Sequence, residues 1–109
     1  MVDRVLNMLS IGKKAGKICS GGFQTEEAIR NGKARLVIVS ADASANTSKS
    51  LKDITTYYKV PLVVYGTKES LGHAIGCEAR ASVTVLDEGI SNKILNLLNN
   101  FGGTPNGEY

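Results

Sequence analysis

Apolar residues at Val2, Val5, Leu6 and Leu9 recur at helical spacing, which predicts an opening amphipathic helix that stops near Gly12. Residues 17–20 fit a short edge strand. Ser20-Gly21-Gly22 then opens a second helix, with Glu26 and Glu27 in its early turns and Gly32 at its C′ position. Residues 35–40 are apolar at consecutive positions and rich in β-branched side chains, which predicts a strand buried on both faces. A polar loop over 42–46 offers Ser44 as an N-cap, and Leu51, Ile54 and Tyr58 mark a third helix. Residues 60–65 read as a second buried strand, with Pro61 tolerated at its start. Thr67 caps a fourth helix with Leu71, Ala74 and Ile75 inside and Gly76 as its stop. After a loop over 77–80, Val83 and Val85 alternate with Ser82 and Thr84 in a further strand. Ile90, Ile94, Leu97, Leu98 and Phe101 form the stripe of a last helix. Alternating strands and helices imply an α/β fold, a three-layer α/β/α sandwich. One domain is expected over residues 1–101, followed by a flexible tail over 102–109.

Composition narrows the class. The 109 residues, 42% hydrophobic, suit one core and are too few for a two-domain enzyme. No run is long enough to span a bilayer, and the N-terminus lacks the apolar core of a signal peptide. Cys19 and Cys77 lie far apart, with no C-x-x-C pattern. They read as free thiols of a reducing, cytoplasmic setting, with neither a disulfide nor a metal site.

Charge changes the picture more. The net charge is +3, and residues 12–35 concentrate it in Lys13, Lys14, Lys17, Arg30, Lys33 and Arg35 against Glu26 and Glu27. Five glycines punctuate the same stretch, allowing close approach of backbone to an anion. A polyanion, above all nucleic acid, is the expected partner. Gly12-Lys13-Lys14-Ala15-Gly16-Lys17-Ile18 is not a nucleotide-phosphate loop. Only three residues separate its glycines instead of four, Ile18 replaces the magnesium-binding hydroxyl, and it follows a helix. The start of the second helix presents unpaired N–H groups, and Gln24 beside it donates and accepts at a base edge. Phe23 is expected in the core as an apolar residue. The loop over 76–80 offers backbone and Arg80 to a ligand, and Gly72 and Ala74 permit tight helix packing. His73, the only histidine, reads as a surface residue, and no residue set is arranged for acid–base, nucleophilic or metal catalysis.

Three segments together carry a family resemblance. They are Gly32-Lys33-Ala34-Arg35-Leu36-Val37-Ile38-Val39-Ser40-Ala41-Asp42-Ala43-Ser44, Val60-Pro61 with its strand, and Leu71-Gly72-His73-Ala74-Ile75-Gly76. In order and spacing they resemble the kink-turn RNA-binding ribosomal proteins, the L7Ae superfamily. The opening Gly12-Lys13-Lys14-Ala15-Gly16-Lys17 with Ser20-Gly21 is most similar to its small bacterial YlxQ-type branch. The resemblance implies a four-stranded mixed sheet. It also implies RNA bound by Gly21, Gly22, Phe23, Gln24, Glu27 and Arg30, faced by Ile75, Gly76, Cys77, Glu78, Ala79 and Arg80, with Asp42 on the same edge. The archaeal and eukaryotic pattern has Asn-Glu at Phe23-Gln24 and a lysine at Glu27, so this chain departs where kink-turn specificity resides. The expectation is therefore a cytoplasmic, non-enzymatic protein without cofactor that binds structured RNA, ribosomal RNA or the ribosome foremost. Lys13, Lys14, Lys17, Lys33 and Arg80 would meet phosphates on one face continuous with the helix start. The alternative is a protein-interaction module of the same fold that does not bind RNA. Neither reading needs a membrane or a small-molecule substrate.

Overall fold

The computed structural model describes residues 3–100, apart from the side chain of Asn100. The expected tail over 102–109 and the stripe positions Val2 and Phe101 lie outside the described residues. The elements run α1 (Arg4–Lys14), β1 (Ile18–Ser20), α2 (Gly22–Arg30), β2 (Leu36–Val39), α3 (Ala45–Tyr58), β3 (Leu62–Val64), α4 (Lys68–Ala74), β4 (Ser82–Val85) and α5 (Glu88–Asn100). The four strands form one mixed sheet in the order β1-β4-β2-β3. β2 pairs in parallel with β3, whereas β4 is antiparallel to both β1 and β2.

Helices cover both faces, giving the three expected layers. On one face α1, α4 and α5 bury Val5, Leu9, Leu71, Ile75, Ile94 and Leu98 against Leu36, Ile38, Val83 and Val85. On the other, Ala28 and Ile29 of α2 and Leu51 of α3 close over Val37 and Val39. Consecutive residues of β2 thus enter opposite cores, which is why the strand carries no polar position. Thr84 faces the second core too, where its hydroxyl donates to the Thr25 hydroxyl at 2.9 Å. This buried pair seats α2 on the sheet. Among the described residues, no helix is long and apolar enough to cross a membrane.

Most predicted caps are observed. Ser44 caps α3 through the Thr47 amide, and Thr67 caps α4 in a reciprocal box with Ser70. Asp87 Oδ2 accepts from the Ile90 amide at the start of α5. Two expectations change. α1 runs past Gly12 to Lys14, because Gly12 is buried against Ile18 and packs there instead of breaking the helix. β3 is an edge strand with Val64 exposed; its apolar run matches that of β2, but only one neighbour pairs with it.

Candidate nucleic-acid interface

Strand direction defines two edges. β1, β2 and β3 end, and β4 begins, along one of them. That edge gathers the start of α2, the β2–α3 turn, the start of α4 and the loop after α4. Gly21 is the N-cap of α2 at φ +94°, a conformation that side chains resist, and no side chain caps the helix. The first helical bond runs from the Thr25 amide to the Gly21 carbonyl at 3.0 Å, so the amides of Gly22, Phe23 and Gln24 precede it. Gly22, Phe23 and Gln24 are all exposed. Phe23 is 76% exposed, which overturns its expected place in the core. The buried stripe of α2 is instead Thr25, Ala28 and Ile29.

The facing loop is fixed by backbone and side-chain bonds. Arg80 Nε donates to Ser20 Oγ at 3.2 Å, tying the loop to the end of β1. The Arg80 amide donates to the Lys68 carbonyl at 2.9 Å, and the Lys68 amide to Asp42 Oδ1 at 2.9 Å. That last bond holds the exposed Asp42 carboxyl below the usual carboxylate range. Gly72 is required beneath the loop, since a Cβ there would overlap the Glu78 carbonyl oxygen. Gly76, Glu78 and Ala79 are exposed, and Cys77 is half-buried with its thiol toward the Ile75 carbonyl. Ile75 belongs to the main core at 4% exposure, so its side chain supports the loop from below and presents nothing to a ligand. Half-buried Arg80 is first a strut, with part of its guanidinium turned outward.

The cations are placed differently from the expected single face. Lys17 precedes β1, and its carbonyl accepts from the Leu86 amide just past the end of β4, so it lies at the opposite edge. Lys14 ends α1 near it. Lys33 leads into β2 at that same edge, and Arg30 ends α2 there, about 12 Å along the helix axis from Gly22. Glu27 is exposed midway along α2. Lys13, exposed in the last turn of α1, stands near the middle of β1. Its charge is felt at Cys19 in the middle of β1, and the Cys19 thiol faces the Gln24 carbonyl at 3.9 Å. Burial pushes that thiol up, with the Thr84 hydroxyl and Lys13 acting in the other direction.

Residue spacing did not single out the far wall of the site. A cleft of about 350 Å³ opens beside Gly21 and Gly22, and Asn46, Thr47 and Ser50 of α3 line it. Their signal is the polar start of α3, spaced to share one helical face. Ser20, the partner of Arg80, was legible only as the residue before two glycines.

The chain as a whole is similar to known proteins. The family model for the ribosomal protein L7Ae/L30e/S12e/Gadd45 family matches residues 3–95. The RNA-binding protein YlxQ of Bacillus subtilis (strain 168) is 42% identical over 91 residues, covering 84% of this chain and 91% of that one. The RNA-binding protein YlxQ of Enterococcus faecium is 34% identical over 96 residues, covering 88% and 92%. A solved protein of unknown function from Bacillus halodurans superposes with a TM-score of 0.85 at 35% identity, covering 88% of this chain and 97% of the other. The Giardia lamblia 15.5kD RNA binding protein shares the fold at a TM-score of 0.73 and 22% identity, covering 92% and 89%. With the order of its strands and a match over nearly all its described length, the chain belongs to the ribosomal protein L7Ae/L30e/S12e/Gadd45 family, on its YlxQ-type branch.

Proposed function

We propose that this chain is a non-catalytic, cytoplasmic RNA-binding protein that docks a bent, structured RNA, ribosomal RNA foremost, on the start of α2. The observation that carries this reading is the uncovered helix start, with Phe23 exposed beside a loop pinned in place. The relatives named for RNA binding and the basic first third of the chain support it. Nothing in those relatives favours the protein-interaction alternative.

The parts have distinct tasks. The amides of Gly22, Phe23 and Gln24 meet a phosphate or base edge where the RNA backbone bends, aided by the helix dipole. Phe23 offers a ring to an unstacked base, a contact that tolerates any base because each has a π-face. Gln24 reads a base edge, and Gly76, Glu78, Ala79 and Arg80 close over the other side of the bend. Asp42 holds the floor through Lys68. Lys13 meets phosphates beside the bend, while Lys14, Lys17 and Lys33 meet those farther along the strand.

The test is titration of a hairpin with a bent internal loop against a straight duplex. The bent RNA should bind more tightly, and affinity should fall with salt as a few counterions are released. Phe23→Ala and Gln24→Ala should each weaken the bent RNA by about fivefold or more and erode the discrimination. Lys14→Ala should weaken both RNAs equally and lower the salt slope by about one. Equal, salt-insensitive binding of the two RNAs would remove the reading.

A further inference from the structure

The edge opposite the helix start combines exposed aromatic rings with cations. Tyr57, 79% exposed, stacks edge-to-face on Tyr58 with ring centroids 4.9 Å apart at 75°. Two adjoining clefts share Arg30 and Tyr58; the first runs under Tyr57, and the second continues past Arg35 and Lys59 to Pro61. Lys33, between Gly32 and Ala34 of the second cleft, is exposed. Two carboxylates border the first cleft, and each has a cation beside it, Glu26 with Arg30 at 3.8 Å and Asp53 with Lys49 at 3.1 Å. Among the described residues, no salt bridge engages Lys33, Arg35 or Lys59.

Two features argue against an idle solvated surface. Tyr57, a large ring held outward, gains little from burial, and it sits against the partly exposed ring of Tyr58. Lys59 adopts φ +61°, ψ +42° at the C-cap of α3, the left-handed position that glycine occupies at least cost. The chain keeps a cation there against its backbone preference.

We propose that this basic–aromatic edge is a second RNA site, which takes an unpaired strand with bases against Tyr57 and Tyr58 and phosphates on Arg35, Lys59 and Lys33. An unpaired strand is required because tyrosine faces reach bases only when these are out of a duplex stack. As a flank of the RNA bound at the helix start, it rests on the function proposed above. The strand's own binding to this edge does not. The two sites lie about 12 Å apart along α2, within reach of a short single-stranded flank.

The experiment uses the full chain and three probes: a short oligouridine strand, the bent-loop hairpin alone, and that hairpin with the strand as an overhang. A fourth RNA carries a duplex extension in place of the overhang. The strand alone should bind weakly and salt-sensitively. The overhang should tighten the hairpin by about fivefold or more, and the duplex extension by much less. Tyr57→Ala and Arg35→Ala should erase the overhang's gain and leave the bare hairpin unchanged. Lys59→Gly should weaken the overhang while its melting temperature holds or rises, an outcome misfolding does not produce. A 2-aminopurine in the overhang should be quenched on binding and stay bright with Tyr57→Ala. The inference is overturned if the strand does not bind, if the duplex extension serves as well, or if Tyr57→Ala leaves both the strand and the overhang untouched. Failure of the bare hairpin to bind would instead count against the helix-start reading, and the oligouridine titration would still decide this one.

Discussion

The two edges of this sheet are built on different terms. At the edge where α2 begins, position is set by a frame of backbone and side-chain hydrogen bonds. A chain of bonds runs from Ser20 through Arg80 and Lys68 to Asp42, and the loop lies on a glycine. At the opposite edge, chemistry is carried by exposed side chains, Lys14, Lys17, Lys33, Arg35 and Tyr57, whose removal disturbs little packing. The first edge suits shape recognition, which needs donors held in one geometry. The second suits phosphates and splayed bases, which tolerate motion. α2 spans the two, so its seating on the sheet sets their spacing.

The hardest blow to this contrast is at Gly72. In Gly72→Ala the new methyl meets a backbone carbonyl, which cannot swing aside as a side-chain end does. Alanine returns about 1 kcal/mol of helix propensity. Overpacking outweighs it, and we expect a net loss of about 2 kcal/mol or more in chemical denaturation. Bent-RNA discrimination should collapse with the displaced loop, while oligouridine binding at the far edge should survive in the folded fraction. If both activities fall together, the edges are not separable in the way described.

Much of this was legible in the pattern of residues, and what was not has physical causes. Elements, caps and the two cores follow from periodicity, because Leu36 through Val39 and the stripe of α5 have only one way to hide. Phe23 was misplaced by its apolarity alone. Its helical neighbours, Glu26, Glu27 and Arg30, are polar, whereas Thr25, Ala28 and Ile29 form the stripe that packs inward. The hydroxyl of Thr25 concealed that stripe, since its burial depends on Thr84, which is 59 residues away in sequence. The cations were joined to the helix start by adjacency in sequence. β1 separates them, and Lys17 and Gly21 stand about 13 Å apart at strand rise. Strand order, which makes β3 an edge, left no local mark.

The Thr25–Thr84 pair sharpens the role of α2 as the shared ruler. Thr25→Val leaves a buried hydroxyl without its acceptor and should cost about 2 kcal/mol. Thr25→Val with Thr84→Val together should recover most of that, because neither hydroxyl is then left alone. RNA affinities should follow the same cycle at both edges. Recovery of stability without recovery of binding would mean that the hydroxyls, and not the seating of the helix, matter to the RNA.

The smallest expected effect lies on the other face of the sheet and tests whether that face is independent of both edges. Tyr65 Oη donates to Asp3 Oδ2 at 2.7 Å, and Asp3 also caps α1 through the Leu6 amide at 3.0 Å. Burial and this acceptor push the Tyr65 phenol up to about 12 from its ordinary 10.0. The folded chain therefore holds this proton more tightly than the unfolded one. The resulting stability is present in full below about pH 10 and is lost as pH rises toward 12. Tyr65→Phe should cost about 1 kcal/mol near neutrality. Every other titratable group is common to the two proteins, so the gap between the two denaturation curves isolates Tyr65. That gap should close as the pH climbs from 10 to 12. At neutral pH both RNA titrations should match those of the unsubstituted chain. A gap that stays constant to pH 12 would show that the phenol contributes by packing alone.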